Sequence, residues 1–378
     1  MRVISADSHM MEPPDLWKER LDNAYRDRAP RVIEGYEGKK GYFFVVEGVK
    51  PFPVAGGFAA GNKPEDLPKA WEKGYEGARP SGWDPVERLK DQDIDGVEAE
   101  VLYTTLGMSL FGLDDAGFQQ ACFGAYNNWV AEFCSHNPKR LFGIALISLE
   151  DVAAGTKELE RCANLGMRGA MVWGSPPRER PYSNPEYHSF WAAAQDLGMP
   201  VSLHVVTSKK GNQSKKADDT AEAKPRRERR GGTEAGYMRL IHEVQQSIID
   251  ILFGGVLERF PKLIIVSAEN DTGWLPHFMY RADHAWEKFR FFNKEPLPMA
   301  PSEYLKRNLY ATFQDDPIGP ATWTYFGADN YMWASDFPHT DSTWPHSLEV
   351  IKKDFARVPD DVTQKIVFDN AKRLYRMD

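Results

Sequence analysis

The chain has 378 residues, of which 42% are hydrophobic and 27% are charged, and its formal net charge is −8 at pH 7. This composition is typical of a folded globular protein with one large domain or two to three smaller ones. The negative net charge argues against a nucleic-acid-binding protein, and the absence of any run of 18 apolar residues argues against a membrane-spanning one.

The N-terminal segment, MRVISADSHMMEPP, lacks the long apolar stretch and small-residue cleavage site of a secretory signal peptide. The three cysteines are widely spaced and form no C-x-x-C pair (Cys122, Cys134 and Cys162). They therefore predict neither a disulfide framework nor a thiolate zinc site. We expect a reducing, cytoplasmic location.

Eight short, strand-like apolar runs follow one another along the chain. They are continuous rather than alternating, which is typical of strands that are buried on both faces of a parallel sheet. The predicted strands are Val3–Ala6, Glu100–Tyr103, Gly143–Ile147, Gly169–Val172, Val201–Leu203, Leu263–Val266, Leu309–Phe313 and Tyr331–Ala334.

Helical patterns separate most of these strands, and several end at a glycine or just before a proline. The predicted helices are Pro85–Gln92, Asp115–Ser135, Val152–Leu165, Pro185–Leu197, Thr233–Arg259, Gly273–Phe291, Ile318–Phe326, Leu348–Phe355 and Asp360–Tyr375. Strand followed by helix, repeated eight times, predicts an α/β fold of the (β/α)₈ TIM-barrel type, with residues 1–378 as one domain. A doubly wound open sheet would need a glycine-rich phosphate turn after its first strand, and Asp7-Ser8-His9 is not such a turn.

Two segments are not needed for a minimal (β/α)₈ barrel. Residues 12–84 are too long for one connection and contain a hairpin-like stretch, Tyr42–Val54, so we predict a cap inserted after the first strand, above the active site. Residues 208–232 are polar and rich in Lys and Arg, which predicts a mobile charged loop. Because this loop also follows a strand, an alternative role as a lid or as a clamp for an anionic substrate stays open.

Potential metal ligands follow four of the eight predicted strands. They are Asp7 and His9 on the first strand, His204 on the fifth, Glu269 after the sixth and Asp336 after the eighth. The C-terminal strand ends of such a barrel meet at one mouth, where the reacting groups lie. Each residue alone is more often a hydrogen-bonded loop residue or a helix cap, but their joint position predicts a divalent metal site.

Three residues are candidates for catalysis as well. Asp336 would accept the proton of a metal-activated water, and Glu269 would act as general acid or base if it is not a ligand. His242 lies in the predicted helix Thr233–Arg259, where a role at the helix surface and a role in the site are both open. His339, three residues after Asp336, is either a neighbour of the site or part of the turn.

Several motifs resemble the amidohydrolase-related family, in the branch that contains amino-carboxymuconate-semialdehyde decarboxylase and the resorcylate decarboxylases. The resemblance covers almost the whole chain, and its most specific parts are the run from Gly254 to Trp274 and the segment Ser335-Asp336-Phe337-Pro338-His339. The matching segments are residues 6–13 (ADSHMMEP), 200–205 (PVSLHV), 253–263 (FGGVLERFPKL), 268–274 (AENDTGW) and 332–339 (MWASDFPH).

The resemblance implies a (β/α)₈ barrel with a divalent metal, often zinc or manganese, held by the first-strand motif, His204 and Asp336. The family's first-strand motif is commonly H-x-H or E-x-H, whereas here Asp7 takes the first position. The decarboxylases also place a catalytic histidine after the sixth strand, where this chain has Glu269. That departure implies a different type of proton donor.

The main hypothesis is a metal-dependent hydrolase or non-oxidative carbon–carbon lyase, similar to a decarboxylase, that acts on a small carboxylate or carbonyl compound. The metal would polarise the substrate or activate a water molecule, and zinc is the expected ion. An alternative is a non-haem iron or manganese oxygenase, because a carboxylate-rich ligand set also suits those ions and two adjacent ions are conceivable. Some amidohydrolase-related proteins are oxygenases of this kind.

A third hypothesis is a non-catalytic partner subunit that keeps the barrel and a structural metal, with residues 209–230 as an interaction segment. The expected partners are a small-molecule substrate and further protein subunits, in a homo-oligomer or in a hetero-oligomer with a related chain.

Overall fold

In the computed structural model, which describes residues 1–209 and 232–377, eight parallel strands form the central sheet. In chain order the strands are β1 (Ile4–His9), β2 (Arg31–Tyr36), β3 (Lys39–Val45), β4 (Phe52–Pro53), β5 (Ala99–Tyr103), β6 (Leu141–Leu146), β7 (Gly169–Val172), β8 (Val201–His204), β9 (Ile265–Ala268), β10 (Leu309–Phe313) and β11 (Tyr331–Trp333). Strands β2–β4 form a second, small sheet, and the other eight form the central one. The order in the large sheet is β1-β5-β6-β7-β8-β9-β10-β11. Each barrel strand thus pairs with the next barrel strand along the chain, and helices surround the sheet. The predicted (β/α)₈ barrel is confirmed.

The helices pack on the outer face of this sheet or belong to the long first connection. They are α1 (Leu16–Arg20), α2 (Asn23–Arg26), α3 (Leu67–Lys73), α4 (Pro85–Asp95), α5 (Ala116–Ser135), α6 (Val152–Asn164), α7 (His188–Leu197), α8 (Gly232–Phe253), α9 (Val256–Arg259), α10 (Leu275–Phe289), α11 (Pro301–Asn308), α12 (Ile318–Ala321), α13 (Trp323–Phe326), α14 (Ser347–Asp354), α15 (Asp360–Gln364) and α16 (Asn370–Leu374). Single helical turns of other types lie at Val54–Gly57, Pro64–Asp66, Gly74–Gly77, Pro80–Gly82, Leu106–Gly112, Pro185–Tyr187, Arg290–Phe292 and Lys365–Asp369.

The eight barrel strands are buried almost throughout, as their apolar runs predicted. In β1, β5, β6, β7, β8, β9 and β11 every residue is buried, and in β10 only Tyr310 is partly exposed. Helices cover the outer face of the sheet and side chains fill its interior, so no strand has a solvated face. This burial makes the strand ends the natural place for polar chemistry.

The barrel closes at a seam between β1 and the residues that follow β11. No strand ladder joins β1 to β11; instead Asp336 N–H donates to the carbonyl of Asp7 (3.0 Å) and His9 N–H donates to that of Phe337 (2.7 Å). The hydroxyls of Ser5, Ser8 and Ser335 lie beside these bonds, and Ser8 Oγ is 3.0 Å from Ser335 Oγ. Three of the predicted metal ligands therefore lie at the seam itself.

Some elements differ from their predicted positions. The sixth barrel strand starts at Ile265, two residues later than predicted, because its ladder with β8 begins at the pair Ile265–Val201. The predicted helix Thr233–Arg259 is broken into α8 and α9 by Gly254 and Gly255, the latter with a φ of +75°. Such a φ is easily adopted only by glycine, so the pair ends one helix and starts the next.

The predicted hairpin-like stretch, Tyr42–Val54, contains the antiparallel pairing of β3 with β4, which joins Phe43 to Pro53 and Phe44 to Phe52. A longer hairpin precedes it: β2 pairs with β3, and the two strands turn at Glu37 and Gly38. Both turn residues have positive φ, as a tight two-residue hairpin turn requires.

Residues 12–84, the segment predicted as a cap, contact the carboxyl ends of the barrel strands. Ala60 N–H donates to the carbonyl of Pro338 (3.1 Å), which follows β11, and within the segment the Tyr75 hydroxyl donates to the carbonyl of Glu12 (2.6 Å). Gly57 lies so close to Thr105 that a Cβ at this position would be 2.5 Å from Thr105 Cγ2.

Most of the predicted charged loop, residues 208–232, lies outside the described residues. At its start Lys209 is largely buried, and its Nζ donates to the Leu113 carbonyl (2.8 Å) and pairs with Glu150 and Asp114. Among the helices of residues 1–209 and 232–377, none combines the length and apolarity that a bilayer crossing requires.

Candidate metal centre

Five of the six predicted site residues meet at the carboxyl ends of the strands. His9 Nε2 is 3.5 Å from Asp7 Oδ1, 3.5 Å from Glu269 Oε2 and 3.4 Å from Asp336 Oδ1. His204 Nε2 is 3.2 Å from Glu269 Oε2 and 3.8 Å from Asp7 Oδ1. Donor atoms from β1, from β8 and from the residues after β9 and β11 thus face one another.

These donor atoms lack other partners. The buried side-chain atoms without a hydrogen bond in the described part of the chain include Asp7 Oδ1, His9 Nε2, His204 Nε2, Glu269 Oε2 and both carboxylate oxygens of Asp336. A buried polar atom without a partner costs about 1–3 kcal/mol, and more if it is charged. Six such atoms in one place are therefore costly unless a cation binds among them.

The imidazole rings are oriented as metal binding requires. His9 Nδ1 is 2.8 Å from the carbonyl oxygen of Thr104, and His204 Nδ1 is 2.9 Å from that of Val205. A carbonyl can only accept, so each Nδ1 carries a proton that it donates. The Nε2 atom of each neutral ring then keeps its lone pair, and that lone pair faces the cluster.

The carboxylate of Asp7 is held by a neighbouring strand. Thr312, at the end of β10, donates its hydroxyl proton to Asp7 Oδ2 (2.9 Å) and accepts a hydrogen bond from Glu269 N–H (2.8 Å). Asp7 Oδ1 is left to face the two histidines. One threonine therefore fixes a side chain on β1 and the backbone of the residue after β9.

Two of the acidic residues have unusual backbone conformations. Glu269 has a φ of +53° and Asp336 a φ of +56°. Left-handed backbone at residues other than glycine costs about 1–3 kcal/mol and persists only where the surroundings impose it. Here the surroundings are the hydrogen bonds of Glu269 N–H to Thr312 and of Asp336 N–H to Asp7. The strain turns both carboxylates inward just where their strands end.

The protein alone gives these groups perturbed pKa values. Burial and the charge of Asp336 raise the pKa of Glu269 to about 8, and burial also raises that of Asp336 well above its usual range. Burial opposes protonation of His204, but the carboxylates of Asp7 and Glu269 outweigh it and raise its pKa to about 9. Burial and the other histidines lower the pKa of His9. Without a cation, the cluster therefore retains protons at neutral pH.

A divalent ion fits this arrangement. Two donors that are each about 2.1 Å from one ion lie about 3.0 Å apart at a right angle and about 3.4 Å apart at a tetrahedral angle. The observed donor separations of 3.2–3.8 Å are close to these values. Carboxylate oxygens with imidazole nitrogens suit zinc, manganese or iron, and the positive charge would balance the acidic groups.

His339, which the sequence left as a neighbour of the site or part of the turn, lies against the cluster. Its ring stacks on His9 with centroids 3.8 Å apart, and its Nδ1 is 2.9 Å from Asp336 Oδ1. His339 also belongs, with His9, Glu269 and Asp336, to a group whose donor atoms all lie within 4.8 Å of one another. The spacing D-x-x-H was the sequence signal for this position.

Arg88 on α4 was missed by the sequence analysis. Its fully buried guanidinium binds Glu100 through Nε (2.6 Å) and Nη2 (3.0 Å). It also donates to the carbonyls of His9 (2.8 Å) and Phe337 (3.2 Å), which lie on opposite sides of the seam. No pattern in the sequence distinguishes this arginine from the other charged residues of its helix.

His242 does not join the cluster. Its side chain is exposed on α8, where Nδ1 is 3.2 Å from Gln245 Oε1. It lines a separate cavity of about 500 Å³ between α8 and α10, with neighbours that include Trp274 and His277. The sequence placed His242 on a helix but could not tell which face of that helix points toward the barrel mouth.

Comparisons with known proteins match most of the chain to a known family. Residues 53–377 match the family model described as Amidohydrolase. Gamma-resorcylate decarboxylase of Rhizobium sp. (strain MTP-10005) is 27% identical over 307 residues, which cover 77% of this chain and 86% of that protein.

Two solved structures show the same fold. An amidohydrolase from Mycobacterium avium subsp. paratuberculosis K-10 superposes with a TM-score of 0.74 at 19% identity, covering 99% of this chain and 97% of that one. A dihydroxybenzoic acid decarboxylase from Polaromonas sp. JS666, solved with bound manganese and an inhibitor, has a TM-score of 0.68 at 18% identity, covering 100% and 97%.

Proposed function

The chain belongs to the amidohydrolase family and is an enzyme of its metal-dependent hydrolase or lyase type, and on this premise we propose that it removes a carboxyl group from a small carboxylate without oxidation. The curated relative described above is a decarboxylase, and so is the Polaromonas structural neighbour. The donor set is complete, which argues against the alternative of a non-catalytic subunit.

The observation that carries this proposal is the position of Glu269. Its side chain is 22% exposed, whereas those of Asp7 and Asp336 are 2–3% exposed and those of His9 and His204 are fully buried. Glu269 thus has the most exposed side chain among the acidic groups of the cluster. In the absence of an ion, burial and the charge of Asp336 raise its pKa to about 8, which favours the protonated form of this carboxyl group.

In this proposal Asp7, His9, His204 and Asp336 hold the divalent ion, and Glu269 supplies the proton. The ion would polarise a substrate oxygen or lower the pKa of a bound water toward about 7. When the carbon–carbon bond breaks and carbon dioxide leaves, the electron pair stays on the substrate carbon. Glu269 delivers its proton to that carbon and later regains one from solvent.

The test is carbon dioxide release from 2,6-dihydroxybenzoate and from related aryl carboxylates by enzyme reconstituted with zinc or manganese. In deuterium oxide the product should gain one deuteron at the vacated carbon. Glu269→Gln keeps the size of the side chain but removes the transferable proton, and we expect it to lower kcat by about 10²- to 10⁴-fold. Glu132→Gln, at an exposed position paired with Arg20, is the control and should leave kcat unchanged.

The proposal fails if wild-type enzyme releases no carbon dioxide from any of these acids while it hydrolyses amides or lactones. It also fails in its assignment of Glu269 if Glu269→Gln retains wild-type kcat. Because Glu269 acts as an acid, kcat should fall as the pH rises, with an apparent pKa at or below about 8, since a bound cation lowers the pKa of a nearby carboxyl group.

The identity of the metal is also a proposal. The sequence favours zinc, and two carboxylates with two imidazoles suit manganese or iron at least as well. Metal analysis of protein purified without added metal or chelator decides among them. One zinc or manganese per chain supports the lyase, with Glu269 free for proton transfer.

An oxygenase with iron or manganese is the second candidate. The observation that favours it is the number of donors: His339 and Glu269 add to a set that already satisfies one ion. About two ions per chain, with iron among them, and oxygen consumption in the presence of a reductant would support it. Absence of oxygen consumption with every reconstituted metal would contradict it.

Further parts of the proposal concern the rest of the chain. We propose that residues 12–84 form a cap over the site within one domain, and that the protein is cytoplasmic. Oligomer formation is proposed because Phe289, Phe291 and Phe292 are 61–85% exposed at the end of α10. Light scattering on purified protein measures the mass directly, and a monomer at micromolar concentration would contradict an oligomer.

A further inference from the structure

The ring of His339 is held between a carboxylate and a hydroxyl. On one side Nδ1 is 2.9 Å from Asp336 Oδ1, and on the other Nε2 is 3.0 Å from Thr105 Oγ1. Stacking on His9, with an angle of 24° between the ring planes, fixes the plane of the ring. The side chain is buried to about nine-tenths. Its orientation is therefore set by the protein on three sides.

The hydrogen bonds of Thr105 decide where the ring proton lies. The Thr105 hydroxyl has one proton, and it donates this proton to the carbonyl of Met10, 2.5 Å away. A carbonyl oxygen cannot donate, so Thr105 Oγ1 is an acceptor in its contact with His339. His339 Nε2 must then carry a proton and donate it. In the neutral ring this leaves the lone pair on Nδ1.

That lone pair faces the donor cluster. The contact between His339 Nδ1 and Asp336 Oδ1 lacks hydrogen-bond geometry, since neither oxygen of Asp336 has a hydrogen-bond partner in the described part of the chain. Two acceptors at 2.9 Å repel each other unless a cation or a proton lies between them. Two donors bound at a right angle to one ion are about 3.0 Å apart, which matches this separation.

We propose that His339 is a further metal ligand, through Nδ1, and that Thr105 is the positioning residue that keeps the proton on Nε2. His339 then has the same role as His9 and His204, with a threonine hydroxyl in place of the backbone carbonyls that hold the other two rings. The inference rests on the metal centre of the proposed function, but it does not depend on which reaction follows.

The test is binding of Co²⁺ alone to the metal-free full-length protein, measured by its visible absorption and by competition with a chelator. His339→Phe keeps an aromatic ring against His9 but has no nitrogen, and we expect it to weaken Co²⁺ binding at least about tenfold and to alter the spectrum. Thr105→Val removes the hydroxyl at nearly constant volume, and loss of such a supporting group lowers metal affinity by about 10- to 100-fold. Thr105→Ser retains the hydroxyl and should bind within about threefold of wild type.

Wild-type Co²⁺ affinity and spectrum in both His339→Phe and Thr105→Val would overturn the proposal. Equal weakening by Thr105→Val and Thr105→Ser would overturn the role of the hydroxyl. Thermal unfolding of each metal-free variant identifies those that do not fold, and the isosteric threonine pair then decides. No substrate is used, so a wild-type enzyme without decarboxylase activity would refute the proposed function and leave this inference standing.

Discussion

Metal binding by this protein should depend steeply on pH. A metal ligand must be deprotonated, but Asp7 and Glu269 raise the pKa of His204 to about 9, despite the opposing effect of burial. At pH 7 the ion therefore has to displace a proton that is about 99% bound. For one such proton, the apparent dissociation constant falls by roughly 80-fold between pH 6.5 and pH 8.5.

The assay is titration of metal-free protein with Mn²⁺ across this pH range, with free Mn²⁺ followed by electron paramagnetic resonance. The slope of the logarithm of the apparent dissociation constant against pH gives the number of protons released per ion. We expect at least about one, since Asp336 also has a raised pKa. Glu269→Gln separates the two roles of that residue. The slope decreases by about one if Glu269 loses its proton to become a ligand, and it stays the same if Glu269 remains protonated as the acid. An affinity independent of pH between 6.5 and 8.5 would refute the reasoning.

Three further predictions concern single groups of the site and its support. Asp336→Asn should reduce kcat by at least about 10³-fold with the fold intact, measured by turnover and thermal unfolding; a folded, active variant would remove Asp336 from the mechanism. Arg88→Met leaves Glu100 buried without its charged partner, with only Gln92 still donating to it, and should lower the free energy of unfolding by about 3–5 kcal/mol in urea titrations; a loss below about 1 kcal/mol would contradict this. The metal-free protein should become less stable as the pH rises from about 5 to 9. In the folded state Glu269 and His204 have pKa values of about 8 and 9, above those in the unfolded chain, so the folded protein binds more protons and loses stability as they dissociate. Thermal unfolding at several pH values tests this, and a flat profile in the presence of a chelator would contradict it.

The seam explains why the metal centre and the barrel are expected to depend on each other. Asp336 N–H binds the Asp7 carbonyl, and Arg88 binds the carbonyls of His9 and Phe337 across the same gap. The proposed ligands Asp7, His9 and Asp336 thus also belong to the backbone that closes the barrel. A bound ion should therefore stabilise the closed barrel as well as provide chemistry.

The sequence was sufficient to predict the barrel and to place the main residues of the candidate site at its mouth. Buried parallel strands need apolar side chains on both faces, so the eight strands are visible as continuous runs. A polar residue directly after such a run must lie at the carboxyl end of the barrel, and all these ends meet at one mouth. For this reason Asp7, His9, His204, Glu269 and Asp336 could be assigned together to one site from their positions alone.

The tertiary structure decided which other groups join them. The periodicity of a helix shows which residues share a face, but it does not show which face points to the barrel mouth. It therefore could not show that His242 is exposed on α8. The support from Arg88 and Thr312, and the hydroxyl that sets the proton of His339, come from residues far apart in the chain. Contacts of this kind exist only after the seam closes, because closure brings residues 7–9 against residues 335–339.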